Sequence, residues 1–132
     1  MSYLQNLPGF IGYLLASVLL LAAFVTAYVR VTPYAELPLI REGNVAACLS
    51  LLGAIFGFAL PLASAISHSI SLLDMVVWGI VALLVQVGFY KGFAFLMPEI
   101  VEGIPRNQIA HGLLLGGGSL VIGLINAACM SY

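Results

Sequence analysis

The chain has 132 residues, 63% of them hydrophobic and 7% charged, with a mean hydropathy of +1.17. Soluble domains carry about 25% charged residues, so this composition excludes the soluble globular class. The net charge of −1 gives no reason to expect nucleic acid or any strongly charged partner, and the length holds one domain at most.

Apolar runs set the class, since about 20 residues cross roughly 30 Å of hydrocarbon. The first predicted span is Phe10–Val29. The segment before it, MSYLQNLPGF, has no Lys or Arg and so lacks the basic region of a secretory signal; the run reads as a retained span. Pro33 ends it. The second span is Val45–Ser67, the third Met75–Leu96 and the fourth Ile109–Met130. The expected fold is an all-α integral membrane protein with four transmembrane helices in a single domain, 1–132.

Basic residues mark cytoplasmic loops. Arg30 and Arg41 fall between spans one and two, Lys91 and Arg106 around the ends of spans three and four. All four lie on one face, which predicts both termini on the opposite, periplasmic side. Tyr3, Phe10, Tyr13, Trp78 and Tyr132 would form an outer aromatic belt, and Tyr28, Tyr34, Tyr90, Phe93 and Phe95 an inner one. Cys48 and Cys129 sit near opposite ends of their spans, too far apart for a bridge within one chain.

The halves read as variations on one unit. Pro33 and Pro98 hold similar positions, and GNVAACLSLLGA aligns with RNQIAHGLLLGG, pairing Asn44 with Asn107. That pattern is either a parallel repeat of two helical hairpins or a product of shared membrane-helix composition. Small residues recur at spacings of three and four in span two (Ala46, Ser50, Gly53, Gly57) and in span four (Gly112, Gly116, Ser119, Gly123). Such stripes let backbones approach closely, so these two spans are expected inside, against each other or against copies in a homo-oligomer.

Polar groups inside hydrocarbon are the candidates for function. Ser64, His68, Gln86 and Asn126 form a candidate intramembrane polar site, with Pro61 and Asp74 nearby. The plainer reading is hydrogen bonding between helices. Pro61 has no N–H, so the carbonyl of Gly57, four residues earlier, loses its helical partner. His111 reads as an interfacial, solvated side chain. No Cys/His spacing supplies a metal site, no cofactor is implied, and no catalytic residue or enzymatic motif is recognised. No Asp or Glu lies inside a span, which argues against ordinary proton-coupled transport.

Three features stand in order: TPYAELPLIREGNVAACLSLLGAIFGFALPLASAI, then Asp74, Trp78, Gly79 and Gln86, then NAACM near the C-terminus. Together they resemble the YjfL family (domain of unknown function 350), bacterial inner-membrane proteins of unknown function. The resemblance covers nearly the whole chain. It implies location in the inner membrane, and a genomic setting near phage-shock-protein-A-like proteins and glutathionylspermidine-synthase-like ligases, which suggests by association a link to envelope stress or to an amine or peptide modification system. It carries over no catalytic residue. The leading expectation is a non-enzymatic, oligomeric scaffold in the lipid bilayer, docking a cytoplasmic partner of the phage-shock-protein-A-like type. Its docking surface would be Glu36, Arg41, Glu42, Asn44, Glu99, Glu102, Arg106 and Asn107. The alternative is an oligomeric channel or small-solute carrier using Ser64, Gln86 and Asn126, with the Ser50/Gly53/Gly57/Ser64 stripe as its lining.

Overall fold

The structure is a computed structural model that describes residues 2–130, with side chains from residue 5 onward. Tyr132 and the Tyr3 side chain, both assigned to an aromatic belt, lie outside the described residues. Helices account for nearly all of the described chain: α1 (Ser2–Val31), α2 (Glu36–Arg41), α3 (Val45–His68), α4 (Leu72–Leu96), α5 (Pro98–Gly103) and α6 (Ile109–Cys129). Four of them, α1, α3, α4 and α6, are long and apolar enough to cross a membrane. The second and fourth spans end within one residue of the expected positions. α1 begins well upstream of Phe10 and runs through Pro8, while α4 begins three residues before Met75.

Local chemistry explains the ends. The residue before a proline is disfavoured in the helical region, and α1 stops at Val31, ahead of Thr32–Pro33. Pro98 likewise stops α4 and opens α5, where its missing N–H costs nothing. At the opposite end of the bundle, Ser71 caps α4 by accepting from Asp74 N at 3.1 Å, and Asp74 Oδ2 accepts from Ile70 N at 3.2 Å. This reciprocal arrangement is a form of capping box.

Both halves run long helix, short helix, long helix. Both short helices also close alike. Gly43 N donates to Ile40 O and Asn44 N to Leu39 O, while Asn107 N donates to Ile104 O and Gln108 N to Gly103 O, all at 2.9–3.1 Å. These are paired Schellman bonds, whose pivot residue takes the left-handed conformation. The pivots are Gly43 (φ 92°) and Asn107 (φ 59°). Backbone role therefore pairs Gly43 with Asn107 and Asn44 with Gln108, correcting the expected Asn44–Asn107 match by one residue. Asparagine tolerates the left-handed region, so it stands where the first half uses glycine.

α3 and α6 pack in parallel along their lengths, and this is the most extensive contact in the molecule. A Cβ at Gly112 would strike the Ala46 backbone, one at Gly116 the Leu49 carbonyl, one at Gly53 the Gly116 backbone, and one at Gly123 the Gly57 backbone. The two small-residue stripes thus meet each other inside one chain. The Gly53/Gly57 stripe is filled by α6 and does not line a pore between copies. Gly53/Gly57 and Gly112/Gly116 are G-x-x-x-G pairs within this seam, whereas a further such pair, Gly88 and Gly92 on α4, faces open space. α1 is the outlying helix, packing on α4 and α3 mainly through Leu20, Phe24 and Tyr28.

Candidate functional site

The end of the bundle carrying α2 and α5 holds the most unusual interior. Leu20, Phe24 and Tyr28 recur every four residues and line one face of α1. Phe24 stacks on Phe58 of α3 at 4.6 Å between ring centroids, and Tyr28 meets Tyr90 of α4 edge-on at 5.4 Å. Past Val31 the chain bends inward, and Thr32, Tyr34 and Glu36 are all buried beneath this aromatic column. Glu36, the first residue of α2, is only 1% exposed.

Its carboxyl has one partner. Thr32 Oγ1 lies 2.5 Å from Glu36 Oε1, 3.2 Å from Val29 O and 3.4 Å from Tyr34 O. The other carboxyl oxygen, Oε2, has no hydrogen-bond partner, nor do the hydroxyls of Tyr28, Tyr34 and Tyr90. All three phenols are within electrostatic reach of Glu36. The Tyr34 hydroxyl lies beside Ser50 without reaching hydrogen-bond geometry. Burial pushes the Glu36 carboxyl up to about 7 from an ordinary 4.5, against the opposing effect of the Thr32 hydroxyl. Burial, reinforced by Glu36, raises the Tyr34 phenol as well.

A groove of about 340 Å³ adjoins this cluster. It is lined by Val31, Pro33, Tyr90, Lys91, Ala94, Pro98, Val101 and Glu102. Tyr90 belongs to both the groove and the cluster, so it forms the wall between them. Among the described residues no three His, Cys, Asp or Glu side chains converge as a metal site would require.

The family described as Domain of Unknown Function (DUF350) matches residues 1–130. The chain belongs to the DUF350 family. It is 34% identical, over all of both chains, to the UPF0719 inner membrane protein YjfL of Escherichia coli (strain K12), and equally to that of Escherichia coli O157:H7. It is 35% identical to the UPF0719 transmembrane protein YshE of Bacillus subtilis (strain 168) over 78% of each chain. No solved structure matches. With four apolar helices and relatives named as membrane proteins, this DUF350 chain is an all-α integral membrane protein.

Glu36 is the main correction to the expected docking residues. It points into the core instead of outward, because the bend at Pro33 turns the start of α2 under α1. Asn44 is also buried: its Oδ1 caps α3 by accepting from Ala47 N at 2.8 Å, and its Nδ2 donates to Ile104 O and Pro105 O. Arg41, Glu42, Glu99, Glu102, Arg106 and Asn107 are exposed at this end. Asn107 is shared, since its Oδ1 also accepts from Ala46 N at 3.1 Å. Each loop thus bonds to the other half of this DUF350 chain.

Of the intramembrane candidates, Ser64 and His68 meet, while Gln86 lies apart from them. Gln86 is buried in the middle of the bundle, where Nε2 donates to Gly57 O at 3.0 Å and Ser119 O at 3.3 Å. It satisfies the carbonyl that Pro61 leaves without a helical partner. Ser64 donates to Ala127 O at 3.1 Å, across the α3–α6 seam, and His68 Nδ1 lies 2.9 Å from Ser64 O. Both are near the opposite end from Glu36. Asn126 keeps an unpartnered Nδ2, and Asp74 is committed to its cap. His111 is half-buried, with its ring against Gly103 and Nδ1 unpaired. The Glu36–tyrosine cluster is absent from the sequence-based expectations. Tyr28, Tyr34 and Tyr90, assigned to an interfacial belt, turn inward. The available signal was the four-residue recurrence of aromatic side chains in α1, continuing toward a carboxylate after a proline bend.

Proposed function

We propose that this protein is a non-enzymatic docking platform of the bacterial inner membrane. Its α2–α5 end faces the cytoplasm and holds a partner protein of the phage-shock-protein-A-like type, in a link to envelope stress. Self-association of copies is part of this reading. The observation that carries it is the fusion of the two loops. Asn44 bonds to the carbonyls of Ile104 and Pro105, and Asn107 bonds to the start of α3. Two loops tied this way present one rigid surface, and rigid surfaces lose less entropy on binding. The face carries Glu42, Glu99 and Glu102 against Arg41 and Arg106, so it favours a partner with a basic patch. Glu36 and Asn44 are no part of it.

The test is capture of a purified phage-shock-protein-A-like protein by the full chain in lipid nanodiscs. Reversing both charges, with Arg41→Glu and Glu42→Arg, is expected to abolish capture while leaving the fold unchanged. Capture that is undiminished by the reversal sinks the docking surface.

A further inference from the structure

Four buried oxygens at the α2–α5 end have no partner: Glu36 Oε2 and the hydroxyls of Tyr28, Tyr34 and Tyr90. Buried polar atoms are nearly always hydrogen-bonded, so an unpartnered carboxyl oxygen among three unpartnered phenols marks an unusual interior. A lone carboxylate in a dry interior is strongly disfavoured until something neutralises it. The groups facing Glu36 are Tyr28 from α1, Tyr34 from the bend and Tyr90 from α4. From α3, the Ser50 hydroxyl lies beside Tyr34. The carboxyl responds to burial and to Thr32, and no cationic side chain offsets them. Lys91 and Glu102 border the groove beyond Tyr90.

Thr32 fits both charge states of the acid. With the carboxyl ionised, Thr32 donates its single proton to Oε1 at 2.5 Å. With the acid neutral, Oε1–H donates to Thr32 Oγ1, and Thr32 turns its own proton to Val29 O at 3.2 Å. Neither state requires the backbone to move. Phenol hydroxyls can likewise donate to a carboxylate or accept from an acid. Among the described residues no three His, Cys, Asp or Glu side chains gather here as a metal site would.

We infer that Glu36, with the hydroxyls of Thr32, Tyr28, Tyr34 and Tyr90, forms a binding site for a single proton, reached from the groove beside Tyr90. The site stands whether or not the same end docks a partner. Proton gain converts the carboxylate to the neutral acid, with no other bond made or broken. The site's poise near neutral pH places the change within the range a bacterial cytoplasm can cross.

The experiment is infrared difference spectroscopy of the full chain in nanodiscs, titrated from acid to alkaline pH. The expected result is a protonated-carboxyl carbonyl band that disappears with a midpoint near 7 and is missing in Glu36→Gln. Thr32→Val, which keeps the side-chain shape, removes a bond that favours the carboxylate and should move the midpoint upward. If Glu36→Gln does not fold, the Thr32→Val shift alone decides. An unshifted midpoint in that variant, or a band that titrates in the ordinary carboxylate range, overturns the proposal. A midpoint that falls when sodium or potassium replaces a bulky organic cation at constant ionic strength overturns it too, in favour of an alkali-cation site.

Discussion

Gln86 shows how a single side chain follows from a defect on the neighbouring helix. Pro61 has no N–H, so Gly57 O has no helical donor, and in the middle of a bilayer no water replaces it. Gln86 supplies the donor at 3.0 Å, at a spot where Gly57 lacks a side chain that would block it. A midplane polar residue therefore has a structural purpose, apart from the Ser64–His68 pair. Gln86→Leu keeps the volume and orphans the carbonyl, and should cost about 1–3 kcal/mol. Pro61→Ala restores the N–H, so the same change made in that background should cost clearly less. A double-mutant cycle read by unfolding in mixed detergent micelles measures the difference. Equal costs in both backgrounds would show that Gln86 does not serve the proline defect. Glu36 is the contrasting residue. Its carboxyl is bonded by Thr32 alone and leaves Oε2 unpartnered, yet it is more deeply buried than Arg30 or Arg41.

At the scale of elements, the α3–α6 seam holds the bundle together. Without a hydrophobic driving force between helices in lipid, close backbone contact is the main source of attraction. The seam achieves it with Gly53, Gly57, Gly112, Gly116 and Gly123 set backbone against backbone. A methyl group there meets atoms that cannot rotate away. Gly53→Ala and Gly116→Ala should each destabilise by about 1–3 kcal/mol or more, with loss of the native melting transition in nanodiscs. Gly88→Ala belongs to an equally good G-x-x-x-G pair, but its Cβ enters open space. In an isolated protomer it should be neutral or stabilise by up to about 1 kcal/mol through helix propensity. If Gly88→Ala proves as damaging as Gly53→Ala, then α4 packs on another copy through that pair.

Across the whole molecule, the span count and the seam were legible because composition and spacing encode them directly: long apolar runs, and small residues every three to four positions. The prolines marked where α1 and α4 end. The register of the repeat slipped by one, because letter matching paired two asparagines while the backbone pairs Gly43 with Asn107 through their shared left-handed turn. The Glu36 cluster was illegible for a related reason. Charge in a loop reads as solvated, and the inward bend after Pro33 depends on three-dimensional packing beneath Tyr28 and Tyr90. Orientation rests on four basic residues gathered at the α2–α5 end, with both helix-joining turns of that end carrying exposed charge. A cysteine-free background, Cys48→Ala with Cys129→Ala, makes it testable, since both native thiols are free. Ile70→Cys places a thiol at the opposite end, at a position 93% exposed in the α3–α4 turn, and Glu99→Cys places one at the α2–α5 end. A membrane-impermeant maleimide applied to intact spheroplasts should label residue 70 and leave residue 99 untouched until the membrane is broken. The reverse pattern would turn the charged platform and the groove beside Tyr90 toward the periplasm. Glu36 would then exchange its proton with the envelope, and a cytoplasmic partner would have no surface to hold.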